Sequence, residues 1–291
     1  MSTLTKNLKV LSHRLTPKYL LTRLAGFLAA RDLGKTTTFF INVFINKYKI
    51  DMSEANQENP ASYHTFNDFF TRTLKPGMRP IDENEASIVM PVDGTMAEFG
   101  ETKFDRLIAA KGQDYSLRNL LGGSSDYQDF SNGNFACIYL SPSNYHRIHM
   151  PIDGTLKKMV YIPGKFYSVN PTYVEAIDEL FTKNERVVCF FDTKAGPMAM
   201  VLVGATIVGS ISTSWAGVIT PGNKRELKTW DYSELTTPIT LKKGEEMGKF
   251  LLGSTVITCF APNGIHFANE LKTAQAVKLG TVLGTIPSTN K

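Results

Sequence analysis

One long uncharged stretch limits most strongly what this chain of 291 residues can fold into. No Asp, Glu, Lys or Arg occurs from residue 196 to residue 223, and the centre of this stretch is almost wholly apolar. A run of this length could cross a membrane as a helix. However, Gly204, Gly209 and Pro221 interrupt it, and its apolar residues are largely β-branched. These features favour two buried strands over a membrane span.

The β pattern continues through most of the chain. The segment Pro91-Val92-Asp93-Gly94-Thr95 recurs sixty residues later as Pro151-Ile152-Asp153-Gly154-Thr155. Each carries an Asp-Gly turn signal before a strand, so the two are either matching corners of a pseudo-symmetric β structure or turn peptides that are similar by chance. Short apolar runs bounded by Gly, Pro, Asn and Asp predict strands. They cover residues 135–140, 187–191, 198–203, 206–211 and 256–260.

The N-terminal region is basic and predicts helices. Residues 1 to 50 contain nine Lys or Arg against one acidic residue, so the net charge of +5 is concentrated there. Thr16 and Pro17 form a helix-start signal, and apolar residues at helical spacing follow in segments 20–28 and 39–48. Basic amphipathic helices of this kind lie in a membrane interface or pack on the body as surface helices.

Two further helices are predicted by their capping residues. Thr65 caps a short helix that should end near residues 74 to 77, and Asn170 with Pro171 begins another. The second has an apolar face from Val174 to Phe181. We therefore expect an α+β protein with a mainly antiparallel, barrel-sandwich-like β body and N-terminal amphipathic helices.

Composition and cysteine usage limit the class of protein. Hydrophobic residues make up 42% and charged residues 20%, which argues against disorder and against a polytopic membrane protein. Cys137, Cys189 and Cys259 each lie in an apolar run without CxxC spacing, which predicts buried reduced thiols in a cytosol-facing protein. No signal-peptide pattern is visible. Because the excess of positive charge is confined to the N-terminal region, no nucleic-acid partner is expected.

The segment Leu252-Gly253-Ser254-Thr255 could carry chemistry on the backbone itself. Because Gly253 admits backbone angles that would strain other residues, the hydroxyl of Ser254 could approach the Gly253 carbonyl. Gly-Ser-Thr is equally a common turn sequence. A serine nucleophile needs a base, and the base needs a carboxylate that orients it.

Two histidines could supply that base. His146 and His149 are both candidates, and either Asp93 or Asp153 could be the orienting carboxylate. Spacing does not choose between them, because such a triad is defined by geometry. A metal site on the two histidines is disfavoured because no acidic ligand lies between them. In an extended chain their rings would also point to opposite sides.

Nine sets of short segments stand in order along residues 60 to 260. They are FNDFFTR (66–72), KPGMRPI (75–81), PVDG (91–94), KG with YSL (111–112, 115–117), YHRIHMP (145–151), VNP (169–171), LF with NERV (180–181, 184–187), GEEMG (244–248) and LGST (252–255). Together they form a highly specific pattern, and the set resembles the bacterial phosphatidylserine decarboxylases.

The resemblance implies an enzyme that makes its own pyruvoyl cofactor. Ser254 would attack the Gly253 carbonyl to form an ester, and β-elimination would release the upstream chain. Hydrolysis of the resulting dehydroalanine would leave a pyruvoyl group at position 254. The precursor would thereby become a beta chain, residues 1–253, and an alpha chain, residues 254–291.

Matching motif to motif, the resemblance also implies a role for each candidate residue. Asp93 and His149 would activate Ser254 for the cut, His146 would act in decarboxylation, and Asp153 would belong to a turn. The pyruvoyl ketone would form a Schiff base with the amine of phosphatidylserine and draw electrons from the breaking bond to the carboxylate. The products would be phosphatidylethanolamine and CO2, and no metal would be needed.

Substrate and location follow from the same resemblance. Phosphatidylserine lies in the bilayer, which implies a peripheral enzyme on the cytoplasmic side of the inner membrane. Residues 1–60 would be a helical, basic, membrane-contacting region, and residues 61–291 the catalytic domain. The beta and alpha chains would remain together as a heterodimer, and two heterodimers could pair.

Two other functions compete with this interpretation. A lipid-directed serine hydrolase would use Ser254, His149 and Asp93 without cutting itself. The chain lacks the G-x-S-x-G elbow common in such enzymes, since Val256 stands two residues after Ser254. A non-enzymatic β-rich scaffold that binds anionic membranes would use the Gly-Ser step only as a turn.

Overall fold

The structure, a computed structural model, describes residues 18–107, 114–174, 176–205, 210–220, 226–251 and 255–287. This part of the chain is mostly antiparallel sheet with a few helices, which confirms the predicted α+β class. The helices are α1 Lys18–Ala29, α2 Lys35–Tyr48, α3 Phe66–Phe70, α4 Leu117–Leu120, α5 Pro171–Val174 and α6 Leu180–Lys183. The strands are β1 Ser87–Val89, β2 Gly94–Lys103, β3 Arg106–Leu107, β4 Tyr115–Ser116, β5 Asn134–Tyr139, β6 Arg147–His149, β7 Gly154–Ile162, β8 Arg186–Thr193, β9 Gly196–Val203, β10 Ile211–Thr213, β11 Gly217–Val218, β12 Lys228–Asp231, β13 Thr240–Leu241, β14 Glu246–Phe250, β15 Thr255–Phe260, β16 His266–Phe267, β17 Ala276–Val277 and β18 Val282–Thr285.

One large antiparallel sheet and two small sheets form the body. The large sheet runs β12-β7-β8-β9-β15-β5-β2-β3-β4, with β13 on β7 and β17 on β2. The small sheets run β1-β18-β16 and β11-β10-β14-β6. The large sheet begins at β12 and ends at β4, so it does not close into a barrel among the described strands.

The central strands of the large sheet are buried on both faces. In β9, Met198, Met200 and Leu202 belong to one hydrophobic core, whereas Ala199 and Val201 belong to another. The first core includes residues of the two small sheets, and the second includes residues of α4 and α6. Because both faces are apolar, these strands read as continuous hydrophobic runs and not as alternating ones.

The uncharged stretch is a strand where the structure describes it. The predicted strand at 198–203 is confirmed, since β9 spans Gly196–Val203. Of the second predicted run, residues 206–209 lie outside the described residues, and β10 begins at Ile211. No helix in the described ranges is long and apolar enough to cross a membrane.

The three cysteines lie inside the large sheet. Cys137 is in β5, Cys189 in β8 and Cys259 in β15, and all three are buried and reduced. Burial raises the pKa of each thiol, so all three remain protonated at neutral pH. The prediction of buried thiols is confirmed.

The Asp-Gly repeat is a structural repeat. β2 and β7 begin at the two Asp-Gly glycines. The N–H of His149 donates to the carbonyl of Pro91 at 2.9 Å, and the N–H of Val89 donates to the carbonyl of Pro151 at 2.9 Å. The two segments therefore lie side by side, and each provides the same contact to the other. Val89 and His149 occupy equivalent positions.

The small sheets repeat in the same way. Ile88 faces Gly284 where β1 pairs with β18, and Ile148 faces Gly248 where β6 pairs with β14. Each pairing has an irregularity beside that residue pair. β17 pairs with the start of β2, as β13 pairs with the start of β7. Of the two interpretations that the sequence left open, the structure therefore shows the matching corners of a pseudo-symmetric β structure and not a chance similarity.

A third core joins α2 to α3. Ile41 of α2 is fully buried, and Phe44 packs beside it against Phe69 and Phe70 of α3. Thr65 caps α3 as predicted, through a reciprocal pair of hydrogen bonds with Asp68. The predicted end of this helix near residues 74 to 77 is wrong, because α3 ends at Phe70.

The single helix predicted from Asn170 to Phe181 is also wrong. The described residues show two short helices, with α5 ending at Val174 and α6 beginning at Leu180. Residue 175 lies outside the described residues. Glu179 has φ 51° and ψ 38°, a left-handed conformation that a right-handed helix cannot continue through.

Candidate active site

The predicted cleavage position lies between two well-defined strands. Gly253 and Ser254 are themselves outside the described residues. β14 ends at Phe250, and β15 begins at Thr255, which is fully buried. Both strands occupy interior positions in their sheets, β14 between β10 and β6 and β15 between β9 and β5. The ends of the chain on both sides of the predicted cut are therefore held by sheet hydrogen bonds.

Asp93 approaches the same edge of the large sheet. Thr255 faces Tyr139 of β5, and Tyr139 faces Thr95 of β2. Neighbouring strands lie about 4.8 Å apart, so Thr255 and Thr95 are separated by about two such spacings. Asp93 stands two residues before Thr95, and Ser254 one residue before Thr255. In the sequence, Asp93 and Ser254 therefore each stand just before a strand, β2 and β15, and these two strands begin at the same end of the large sheet.

The two histidines lie along the strand that leads to the predicted cut. His149 ends β6, and it faces Glu246 of β14. The N–H of Phe250 donates to the carbonyl of His146 at 3.0 Å. The segment from His146 to His149 thus runs beside β14 up to its last residue.

Asp93 is held by an arginine and by the main chain. Nε of Arg79 donates to Oδ1 at 2.8 Å and to Oδ2 at 3.0 Å, and Nη2 donates to Oδ2 at 2.5 Å. The N–H of Leu279 donates to Oδ1 at 2.9 Å. Arg79 also donates to Glu54 at 2.7 Å. Within the described ranges, no hydrogen bond or ion pair joins Asp93 to His149.

Two hydrogen bonds orient the ring of His149. Nδ1 lies 2.8 Å from the carbonyl oxygen of Gly244, and because a carbonyl only accepts, Nδ1 carries the proton. Nε2 therefore holds the lone pair and accepts a hydrogen bond from the hydroxyl of Tyr145 at 3.2 Å. Burial lowers the pKa of His149, while the bond to Gly244 and the charges of Glu246 and Asp93 oppose that shift. At neutral pH the ring is an uncharged base.

His146 is completely buried and has one unused nitrogen. Nε2 lies 3.0 Å from the carbonyl oxygen of Ser141 and donates to it, which leaves Nδ1 as an acceptor. Nδ1 has no hydrogen-bond partner among the described residues. Phe70 stacks on the ring, with centroids 4.1 Å apart. Burial, with a smaller effect from the charge of Arg72, lowers the pKa of His146 to about 3.

The alternative carboxylate, Asp153, takes part in a turn. It accepts hydrogen bonds from the N–H of Lys243 at 2.7 Å and from Nζ of Lys242 at 3.1 Å. Its side chain is about half exposed, whereas Asp93 is only 5% exposed. The main-chain contact from Lys243 is the symmetry-related counterpart of the contact that Leu279 makes to Asp93. The arginine contact is specific to Asp93.

The described residues also bear on metal binding. They contain no group of three or more His, Cys, Asp and Glu side chains arranged to hold a metal ion. Among the ring nitrogens of His146 and His149, only Nδ1 of His146 lacks a polar partner in the same part of the chain.

Sequence reasoning missed four residues that shape the site. Arg79 holds Asp93, Tyr145 binds the free nitrogen of His149, Phe70 stacks on His146, and Arg72 lies near that ring. All four belong to segments that carry the resemblance, but a sequence segment does not specify which side chains of other segments it will contact. Arg79 flanked by Met78 and Pro80 was the clearest signal, since a charge in an apolar setting needs a counter-charge.

Comparison with families of known proteins matches most of the chain. A family described as Phosphatidylserine decarboxylase matches residues 66–285. A second family, described as PSD, matches residues 8–49. Together the two matches include α2 and nearly all of the β body.

Individual relatives match over nearly their full length. A phosphatidylserine decarboxylase proenzyme of Idiomarina loihiensis is 50% identical over 284 residues, covering 97% of each chain. The proenzyme of the same name from Shewanella loihica is 52% identical over 282 residues, or 96% of this chain and 99% of the relative. That from Aliivibrio salmonicida is 52% identical over 277 residues, or 94% and 96%.

Proposed function

The chain belongs to the phosphatidylserine decarboxylase family, and we propose that it makes its catalytic group by cutting itself between Gly253 and Ser254. It is the precursor of a carboxy-lyase, and the processed enzyme converts phosphatidylserine to phosphatidylethanolamine and CO2 in phospholipid biosynthesis. One observation carries the assignment of the cut. The strand ending at Phe250 runs beside His146 and His149, and the strand starting at Thr255 begins at the edge where Asp93 lies.

Self-cleavage uses the neutral ring of His149. Nε2 takes the proton of the Ser254 hydroxyl as Oγ bonds to the carbonyl carbon of Gly253. The bond from that carbon to the amide nitrogen of Ser254 then breaks, and the nitrogen receives the proton from His149. The chain is now joined by an ester. A base takes the Ser254 α-proton as the bond between Cβ and Oγ breaks, which releases Gly253 as a carboxylate and leaves a dehydroalanine at position 254. One water then hydrolyses the dehydroalanine to the pyruvoyl ketone, and its nitrogen leaves as ammonia.

Two neighbours support His149 in this role. In the structure the hydroxyl of Tyr145 donates a hydrogen bond to Nε2 of His149. The hydroxyl of Ser254 must take this place beside Nε2 for the proton to be transferred. Asp93, fixed by Arg79, places a negative charge that favours the protonated form of His149 as it arises. Asp93 therefore acts through its charge, with no direct hydrogen bond to the ring among the described residues.

The residues around position 254 fit a pyruvoyl group attached to the chain. Oγ1 of Thr255 and Nδ1 of His146 are buried polar atoms without partners among the described residues, as expected beside a carbonyl-rich group and its substrate. The pyruvoyl group supplies a carbonyl that withdraws electrons from the bond to the departing carboxylate. His146, held by Ser141 and Phe70, presents a neutral ring whose Nδ1 can accept a hydrogen bond from the reacting group.

The N-terminal helices support membrane contact. Seven of the thirteen exposed large apolar side chains in the described ranges fall between residues 24 and 43. Arg31 and Lys35, both exposed, lie in the same region. An apolar surface with a basic border suits the interface of an anionic bilayer. The seven side chains are Leu24, Phe27, Leu28, Leu33, Phe39, Phe40 and Val43.

The opposite face of α2 connects this surface to the site. Phe44 contacts Phe70, with ring centroids 6.0 Å apart, and Phe70 stacks on His146. We therefore assign residues 1–60 to membrane contact and residues 61–291 to catalysis. The enzyme would be peripheral, on the cytoplasmic face of the membrane, as a beta–alpha heterodimer that could pair with a second one.

Intact mass after expression tests the proposal. The wild-type chain should give two fragments, 1–253 and 254–291, and the smaller should react with hydrazine through its N-terminal carbonyl. Ser254→Ala should give one chain that does not react. A wild-type chain that stays whole and keeps an unmodified serine at position 254 would exclude this mechanism.

A further inference from the structure

Arg72 is a buried arginine whose hydrogen-bonding capacity is largely unused. Its residue is 5% exposed, yet Nε and Nη1 have no partner among the described residues. Nη2 makes one contact, 3.2 Å to the carbonyl oxygen of Ser143, and the guanidinium carbon lies 5.5 Å from the centroid of Phe69. No ion pair to Arg72 occurs within the described ranges. Such a buried cation is costly without an anion.

Another buried arginine shows what a structural role requires. Arg186 is 2% exposed and donates to the carbonyl oxygens of Leu120, Asn119, Thr182 and Asn184. Every one of its three nitrogens has a partner. Arg72 has the same burial without this set of acceptors, so packing alone does not account for it.

The unused donors of Arg72 lie near the unused acceptor of His146. Both side chains bond to the same short loop, Arg72 to Ser143 and His146 to Ser141. The charge of Arg72 reaches the His146 ring and disfavours its protonation. Phe70, two residues before Arg72, stacks on that ring. A cationic donor and a neutral acceptor thus lie side by side beneath α2.

We propose that Arg72 binds the phosphodiester of the lipid headgroup while the amino acid end of the headgroup lies toward His146. The proposal rests on the function proposed above. A guanidinium offers the paired, directional donors that match phosphate oxygens. The site lies under the helix that presents Phe39 and Phe40 outward. In the lipid the phosphodiester lies between the glycerol and the serine, so a headgroup entering from the membrane would carry its amino acid end deeper and leave its phosphate nearer the helix.

The carboxylate of the headgroup is the less suitable anion for Arg72. Negative charge leaves the carboxylate as CO2 departs, so a cation beside it would stabilise the starting state more than the transition state. The phosphodiester keeps its charge throughout. Binding there contributes equally to both states and holds the reacting end in place.

Binding measurements on the processed protein test this assignment. Calorimetric titration would use glycerophosphoethanolamine, which has the phosphodiester without the carboxylate, and inorganic phosphate and L-serine for comparison. Arg72→Gln should weaken glycerophosphoethanolamine about 30-fold or more, the usual result of removing a buried charge partner. Affinity for L-serine should stay unchanged. KM for phosphatidylserine should rise with little change in kcat.

Two further variants control the experiment. Arg118→Gln removes the same charge from an exposed position near Tyr127 and should bind glycerophosphoethanolamine as the wild type does. Arg72→Lys keeps the positive charge but lacks the paired donors of a guanidinium, so it should bind glycerophosphoethanolamine with intermediate affinity. If Arg72→Gln fails to fold and to cut itself, the test compares the affinities of Arg72→Lys and Arg118→Lys for glycerophosphoethanolamine.

Several results would overturn the assignment. Wild-type affinity for glycerophosphoethanolamine in the Arg72 variants would do so, as would a loss confined to L-serine, which would place the carboxylate at Arg72. If the wild type binds inorganic phosphate as tightly as glycerophosphoethanolamine, the site does not recognise the headgroup. Failure of the proposed function is separate, since a wild-type protein that cannot decarboxylate phosphatidylserine can still be titrated with glycerophosphoethanolamine.

Discussion

At the scale of single residues, the charge beside the site depends on Arg79. It bonds Asp93 through two nitrogens and also bonds Glu54. Arg79 and Asp93 are buried, whereas Glu54 is partly exposed. Burial by itself lowers the pKa of Arg79, but the hydrogen bonds to the two carboxylates outweigh it and raise the pKa. The arginine therefore remains charged at any accessible pH.

Removing this arginine should destabilise the chain strongly. Arg79→Met leaves Asp93 buried without its partner, and breaking such a pair costs about 3 to 5 kcal/mol. Adding Asp93→Asn should recover at least about 1 kcal/mol, because the stranded charge is then gone. Denaturant unfolding measures the free energy of unfolding of four chains on the uncut Ser254→Ala background, namely the parent, Arg79→Met, Asp93→Asn and the double variant. Purely additive effects would show that the two side chains do not interact.

Acid should destabilise the protein through His146. Its pKa is about 3 in the folded chain against an ordinary value of 6.5, so only the unfolded chain takes up this proton as the pH falls below 6.5. The free energy of unfolding should therefore decrease from pH 6.5 toward pH 3, by up to about 1.4 kcal/mol per pH unit from this group. His146→Phe, compared on the Ser254→Ala background, should show a shallower decrease. Parallel curves for the two chains would contradict the assignment.

At the scale of elements, α2 has two faces with separate tasks. Phe39 and Phe40 point away from the body, whereas Ile41 and Phe44 pack against α3. Replacing both outer phenylalanines with serine should weaken binding to anionic vesicles about tenfold or more, since each buried aromatic ring contributes roughly 1.5 to 3 kcal/mol. Self-cleavage should be unaffected. Vesicle sedimentation measures the first effect and a denaturing gel the second.

An exposed phenylalanine elsewhere provides the control for α2. Phe104 is 80% exposed and lies in the turn between β2 and β3. Phe104→Ser removes one exposed phenyl ring without touching the helix and should leave vesicle binding intact. If both changes weaken binding equally, membrane contact is not a property of α2.

The strand before the cut depends on a close approach at Gly248. A Cβ at this position would overlap the backbone oxygen of Ser212, so Gly248→Ala must push β14 away from β10. The change should cost about 1 to 3 kcal/mol and slow self-cleavage. Gly284→Ala makes the equivalent overlap with the backbone oxygen of His266 in the symmetry-related sheet. It should destabilise similarly, and only Gly248→Ala should delay the appearance of two bands.

The sequence predicted local elements better than contacts between them. Buried strands such as β9 and the cap of α3 depend on neighbouring residues, and both predictions were confirmed. The Asp-Gly repeat was visible in the sequence, but only the contacts between its two copies distinguish a structural repeat from chance similarity. The break at Glu179 was missed because the apolar spacing from Val174 to Phe181 suits one helix, while a left-handed residue has no such periodic signal. The pairing of Arg79 with Asp93 was missed for another reason, since it depends on how two distant segments fold together.

At the scale of the whole molecule, the predicted alpha chain is inseparable from the rest. Its first strand, β15, is buried along its whole length between β5 and β9, and β18 lies between β1 and β16. β17 adds to the edge of β2. Cutting the chain at residue 253 breaks one covalent bond and none of these pairings.

The two chains should therefore behave as one folded body. After processing, they should elute together in gel filtration and separate only in strong denaturant, with a mass on native analysis equal to that of the precursor or of its dimer. Fluorescent labelling of each chain would reveal exchange. Loss of the small chain during purification would mean that the sheet does not hold it.

The interior position of β15 also limits replacement of the proposed pyruvoyl group. A dissociable cofactor that is damaged can be replaced from solution, whereas a group made from Ser254 would be bonded to Thr255, the first residue of a central strand. β15 is buried on both faces of the large sheet, so it could not be exchanged without unfolding that sheet. Each molecule would then form its carbonyl once, and an adduct that blocks this carbonyl would inactivate the enzyme permanently. The cell would have to replace the lost activity by synthesis of new protein.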